Sequence, residues 1–372
     1  MRITGVRVTP LHVMFKTPYH WALGVDEGAD VVLVEIETDA GITGIGESMG
    51  QPSAAAVMAM LDSAVPRLVG APAADIARLT AEARAAMMGC GATPRYASQA
   101  VTGLDMALWD LAGKAAGQPA HRLFGGAVRD HVSYFAFPQG ESAQALAAEA
   151  AAGAAEDYPV IYFKIGRGED VDMANVAAVR EAIGDRRMRV DANESWDPLT
   201  AIRMIRKLSP YDVEFVEQPT PSGSIAALAQ VKAAVDVPIA ADQCAYSAAE
   251  VFEVCRRGAA DVIVLGLHET GGLLGLRNAA AVAEAAGINI CLHGVYETGI
   301  TSCAANQLAA TLPNLDDGNQ IMWQLLTEDI VASPDLTPQA GRLGIIGGPG
   351  LGFELDGDAV ARAAERWRTR SG

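Results

Sequence analysis

No apolar run in this chain approaches the roughly 18 residues needed to cross a bilayer. Its opening segment, MRITGVRVTPLHV, alternates like a strand and lacks the continuous apolar stretch of a secretory signal. These absences predict a soluble, cytoplasmic protein with no membrane partner. Cysteine is scarce: Cys90, Cys244, Cys255, Cys291 and Cys303 contain no CxxC pair, and an odd, scattered set makes a poor disulfide framework, so reduced thiols are expected. Basic residues are in deficit, 28 Lys and Arg against 45 Asp and Glu, for a net charge of −17. That balance argues against nucleic acid and anionic membranes as partners, because phosphate contacts require clustered cations. It leaves a small anionic substrate open, since a bound divalent metal reverses the local field. Gly/Ser linkers and low-complexity tracts are missing too, so the domains are expected to be rigidly docked.

What is present is length and a large apolar fraction. A chain of 372 residues with half of them apolar can bury a sizeable core and suggests two domains, one of them large. ITGVRVTPLHV and VVLVEIETDAGITGIGES have strand alternation, broken at Asp39-Ala40-Gly41 by a hairpin signal. From about Ser53 to Gly117 the spacing turns helical and Ala-rich. Strands followed by helices predict an α+β domain over residues 1–125. Beyond Gly125-Gly126 short apolar runs alternate with helical ones: Val132–Phe137, Val160–Lys164, Met188–Asp191, Val213–Glu217, Pro238–Asp242, Asp261–Leu265 and Ile288–His293, with a weak eighth at Gln320–Trp323. That order predicts an α/β fold with a parallel (β/α) barrel over 126–340. The Gly-rich tail, 341–372, is expected to return to the first domain.

The chemistry lies at the ends of these runs. Lys164, Asp191, Glu217, Asp242 and His293 recur at intervals of about 25 residues, one strand plus one helix, with a vacant beat at Gly266. Carboxyl ends of barrel strands converge on one mouth, so these groups are expected to share a pocket. Three carboxylates on consecutive strands suit a hard divalent cation, Mg²⁺ or Mn²⁺, although Asp in a βα loop also serves as a helix N-cap. Lys164, with its pKa lowered by burial and by that cation, would serve as a general base; the alternatives are a Schiff-base lysine or one that only neutralises the acids. His293 is placed to donate or accept a proton from across the mouth, or it is a core histidine. Tyr162 shares the side of Lys164 by strand alternation.

Together these segments resemble the enolase superfamily in its mandelate racemase / muconate lactonizing branch. The resemblance rests on AVTGLDMALWDLAGKAAGQPAHRLFGG, VDAN, VEQP, ADQ, Gly271-Gly272, YETGI and GPGLG, and it covers nearly the whole chain. It implies a modified TIM barrel under an α+β capping domain, Mg²⁺ held by Asp191, Glu217 and Asp242, a small carboxylate substrate and assembly into a homo-oligomer. The implied reaction is abstraction of the proton α to a carboxylate, giving an enolate. Capping loops, here Thr17–Gly28 with Tyr19, His20 and Trp21, and a second near Met49–Ser53, are implied to set specificity, and Glu297 in YETGI is a further candidate substrate contact.

Thr102, Ala120 and Gln243 depart from the branch pattern. So does Tyr162, where a lysine is frequent, and Gly266, where lactonizing and epimerising members carry Lys and the racemase type carries Asp. His268, two residues beyond Gly266, is the candidate replacement for that acid; Asp316 and Asp317 are either substrate contacts or loop caps. The lead expectation is an isomerase, cycloisomerase-like or a racemase/epimerase. An acid-sugar or hydroxy-acid dehydratase is the alternative, and a catalytically silent metal- and ligand-binding barrel is the reading from another class.

Overall fold

The computed structural model describes residues 1–22, 24–294 and 296–371. It opens with an antiparallel sheet of β1 (Ile3–Trp21), β2 (Gly24–Thr38) and β3 (Thr43–Met49), in which Gly41 supplies the positive φ (71°) of the β2–β3 turn. Side chains alternate across a strand, so β2 serves two cores. Val32, Val34 and Ile36 pack on helices α1 (Ala54–Leu68), α2 (Ile76–Gly89) and α3 (Pro94–Ala116), whereas Val31 and Leu33 join the core of the following barrel. Fully burying one such side chain is worth about 1.5–3 kcal/mol.

Helix α3 starts where Thr93 caps the Tyr96 amide (3.3 Å) and Pro94 presets the first turn, and it stops at Gly117 in the left-handed region. Sandwiched between sheet and barrel, it has buried residues on every side. Close approach to β3 requires glycine: a Cβ on Gly46 would lie 2.2 Å from the Gly103 carbonyl oxygen.

After α4 (Ala120–Leu123), β4 (His131–Ser133) and α5 (Ala143–Ala155), the chain alternates regularly. β5 (Val160–Lys164), α6 (Glu169–Ile183), β6 (Arg187–Asp191), α7 (Pro198–Leu208), β7 (Val213–Glu217), α8 (Ile225–Lys232) and β8 (Ile239–Ala241) follow in turn. α9 (Ala248–Arg257), β9 (Val262–Leu265), α10 (Leu267–Thr270), α11 (Leu273–Ala285), β10 (Asn289–Leu292) and α12 (Gly299–Ala309) complete the alternation. Strands β5 to β10 pair in parallel and in chain order. Single bridges close the ring: Ala136 pairs with Ile161 on one side, Leu315 with Ile290 on the other, and Tyr134 with Asn319 between them.

The eighth staves therefore run over 315–320, not Gln320–Trp323; Trp323 begins a short 3₁₀ turn instead. The apolar pattern misplaces this stave because polar groups build it: the Asn319 side-chain oxygen accepts from the Leu292 amide (2.7 Å), and Gly318 takes φ 74°. The C-terminal helix α13 (Gly357–Ser371) lies against β1, with Arg366 donating to the His12 carbonyl (3.0 Å).

Candidate active site

Register aligns the strand ends. Lys164 of β5 is the ladder partner of Asp191 on β6, and Asp191 is the partner of Glu217 on β7. Asp242 follows β8, its amide held at 3.0 Å by the Gln218 side chain. Ligand oxygens of Asp191, Glu217 and Asp242 lie within 4.8 Å of one another, all three residues buried. Burial, reinforced by the neighbouring carboxylates, pushes the Glu217 and Asp242 carboxyls well above the ordinary range. Asp242 Oδ1 has no hydrogen-bond partner among the described residues. A buried cluster of carboxylate oxygens, one of them orphaned, in which burial and mutual repulsion raise the Glu217 and Asp242 carboxyls, fits a divalent cation.

Two groups offset that repulsion. Lys164 Nζ donates to Asp191 Oδ2 (2.5 Å) and to the Tyr162 hydroxyl (3.2 Å), and that hydroxyl is 2.7 Å from Asp191 and 3.3 Å from Glu217. Among the chain's own groups, burial pulls the Lys164 ammonium down, but Asp191, Tyr19 and Glu217 outweigh it and hold it above the usual lysine range. In Tyr162, burial followed by Asp191 and Glu217 raises the phenol well above 10.0.

The vacant beat on the sixth strand is filled from elsewhere. Glu269, at the third residue of the α10 turn, places Oε2 3.6 Å from His293 Nε2, and Asp242 Oδ1 lies 3.5 Å from the same nitrogen. Gly266 makes the room: a Cβ there would sit 2.1 Å from Glu269 Oε2 and 2.4 Å from His293 Nε2. The Thr102 hydroxyl, a departure in the sequence, lies 3.2 Å from the carbonyls of both Leu267 and His268 and so anchors this turn to α3. Burial lowers the His293 pKa, with Glu269 opposing.

His268 does not take the acid's place. It is buried away from the mouth, its Nε2 3.1 Å from the Thr301 hydroxyl and its pKa lowered by burial to about 3.

Lys164, Tyr162, Glu217, Asp242 and His293 line one cavity of about 240 Å³, roofed by Tyr19, Trp21, Met49 and Gln51 from the first domain. Residues 17–21 belong to β1, extended by a hairpin in which Tyr19 pairs with Asp26 and Trp21 with Gly24. His20, on the opposite side of the strand from Tyr19 and Trp21, meets Glu141 at 3.2 Å instead of lining the cavity. Glu297 is buried beneath the wall, where a Cβ on Gly294 would meet its Oε1 at 2.6 Å. Asp316 and Asp317 pair with Arg187, at 3.4 and 3.8 Å, beside the starts of the strands.

Sequence reasoning missed Glu269, Arg95, Gln99 and Tyr246, which also line the cavity. Glu269 had a local signal, an acid one helical turn beyond a glycine at a strand end; the others come from a helix of the first domain or a barrel loop with no periodic mark.

Two family models cover most of the chain: "Mandelate racemase / muconate lactonizing enzyme, N-terminal domain" over residues 3–125 and "Enolase C-terminal domain-like" over 145–359. Muconate cycloisomerase 1 of Rhodococcus opacus is 32% identical, with 97% of this chain and 98% of the relative covered. A probable glucarate dehydratase of Streptomyces coelicolor is 28% identical over 99% of this chain and 92% of its own. The crystal structure of muconate lactonizing enzyme from Pseudomonas fluorescens with muconolactone superposes at TM-score 0.91, with 29% identity and 97% and 99% coverage. The chain therefore belongs to the mandelate racemase / muconate lactonizing branch of the enolase superfamily and is an enzyme of that type.

Proposed function

We propose that this enzyme removes the proton α to a carboxylate with Lys164 and completes an isomerisation through His293. The carrying observation is that Lys164 and His293, from strands on opposite sides of the carboxylate triad, line the same cavity as Glu217 and Asp242. Asp191, Glu217 and Asp242 would hold Mg²⁺, or Mn²⁺, which supplies charge to bind the substrate carboxylate and stabilise the enolate. Lys164, positioned by Asp191 and Tyr162, takes the α proton as the free amine, because a cation held by Asp191 and Glu217 would offset the carboxylate charge that otherwise keeps its ammonium protonated. His293, backed by Glu269, delivers a proton to the opposite face, so 1,1-proton transfer inverts the α centre. Cycloisomerisation, the activity in the name of the Rhodococcus relative, shares the same enolate logic.

A second reading, dehydration of a hydroxy acid, is favoured by the Glu269–His293 pair, which suits protonation of a leaving hydroxide, and by the likeness to a probable glucarate dehydratase. Proton NMR in D₂O with Mg²⁺, over acid sugars, amino-acid derivatives and lactones, tests both. Exchange lost in Lys164→Ala supports the enolate, and the product separates inversion from elimination. Exchange retained in that variant sinks the assignment to Lys164. A tight metal site without exchange on any bound acid would favour a silent binding barrel. Cytoplasmic residence and a homo-oligomeric state belong to the same reading, the latter measured by light scattering; among the described residues no helix is long and apolar enough to cross a membrane.

A further inference from the structure

The cavity wall contributed by α3 carries a cation that the chemistry above does not use. Arg95 sits in the first turn of that helix and lines the cavity. A cation there runs against the helix dipole, so helix stability does not account for it. Its Nη2 donates to the Gln243 carbonyl (2.6 Å), and its guanidinium lies 4.2 Å from the centroid of the Tyr246 ring. Both of these partners are neutral and fix the plane of the fork, while Asp242 and Glu269, whose carboxyls its charge pulls down, lie within electrostatic reach. The Tyr246 ring is in turn nearly parallel to His293, at 21° and 6.4 Å between centroids, so the guanidinium is tied to the histidine side of the mouth. One turn further along α3, Gln99 is only 5% exposed, lines the same cavity and leaves its Oε1 without a hydrogen-bond partner.

We infer that Arg95 and Gln99 form a subsite for a second carboxylate, making the substrate a small diacid. This rests on the proposed reaction, in which the first carboxylate sits at the Asp191–Glu217–Asp242 cluster. A planar, permanently charged fork matches a carboxylate in bidentate fashion, and the buried Gln99 Oε1, an acceptor, takes a hydroxyl on the carbon beside it. The need for such a cation is electrostatic. Glu194, Glu217, Asp242 and Glu269 all line the cavity, and a diacid would otherwise place its remote charge against them.

The test pairs D-glucarate, tartrate and glutarate with their monoamides and measures binding by calorimetry in Mg²⁺, alongside α-proton exchange in D₂O, for the parent, Arg95→Met and Arg95→Lys. At least one diacid is expected to bind the parent about 10- to 100-fold more tightly than its monoamide, the range set by a charge-assisted hydrogen-bond pair. Arg95→Met should erase that preference, with a much smaller loss for the monoamide than for the diacid, and Arg95→Lys should restore part of it. A parent that does not prefer any diacid, or a preference that survives in Arg95→Met, overturns the subsite; so does an equal loss for diacid and monoamide, which would make Arg95 only a staple for the Gln243 loop. Arginine-dependent diacid binding without exchange would leave the subsite standing and remove the proposed reaction.

Discussion

Glu269 Oε2 lies 3.6 Å from His293 Nε2, in space that exists because residue 266 has no side chain. The sixth strand ends in glycine, and the acid reaches the histidine from one turn of helix later. Glu269→Gln should therefore lower turnover about 10- to 100-fold, as loss of a supporting carboxylate does, with little change in KM or metal affinity. Steady-state kinetics and metal titration read the two separately.

Gly266→Ala probes the same space from the other side. Its φ of −114° suits any residue, so backbone strain is not the cost. The added methyl, 2.1 Å from Glu269 Oε2, must displace the dyad. Turnover should fall at least as far as in Glu269→Gln while the circular dichroism spectrum stays native; wild-type turnover would show that the dyad is unnecessary.

Tyr162→Phe removes the hydroxyl that joins Asp191 to Glu217 at 2.7 and 3.3 Å. The ring remains stacked on Phe135, with centroids 4.3 Å apart, so the core should hold. Metal affinity should drop about 10- to 100-fold, the usual effect of losing a partner behind a ligand. Calorimetric Mg²⁺ titration of the two proteins decides it.

Glu47, on β3, is fully buried and accepts from the Thr298 amide (2.9 Å), the Thr298 hydroxyl (2.7 Å) and the Thr301 amide (3.2 Å). A carboxylate from the first domain thus caps α12, the helix that follows the His293 loop. Glu47→Ala leaves those donors unpaired and should cost about 1–3 kcal/mol in urea denaturation. An unchanged midpoint would contradict the capping role.

Asp105 provides a pH signature independent of any metal. Burial, opposed by the Leu273 amide at 2.7 Å, raises its carboxyl from 3.8 to about 7. The folded state then binds more protons than the unfolded chain, so this group's contribution to stability is most favourable below about pH 4 and is lost as pH rises to about 7, by roughly 4 kcal/mol. Asp105→Asn should flatten the difference in unfolding free energy between pH 5 and pH 8; an unaltered slope would assign it to other groups.

Much of this protein was determined locally and is legible in the chain. Strand alternation in β2, the N-caps Ser53 of α1 and Thr93 of α3, and the spacing from Lys164 to Asp242 follow from period, propensity and turn chemistry, which act over a few residues. Barrel geometry then carries the ends of consecutive strands to one mouth, so a one-dimensional rhythm became a three-dimensional cluster. The exceptions had no rhythm to read. The eighth stave is held by the Asn319 side chain and not by apolar alternation, and Glu269 enters from a turn whose direction depends on Thr102 in a helix of the other domain. Arg95 meets Gln243 across 148 positions of sequence. Which way the Lys164 proton equilibrium leans was likewise a tertiary matter: burial and neighbouring carboxylates act in opposite directions, and their balance depends on distances that only the folded chain sets.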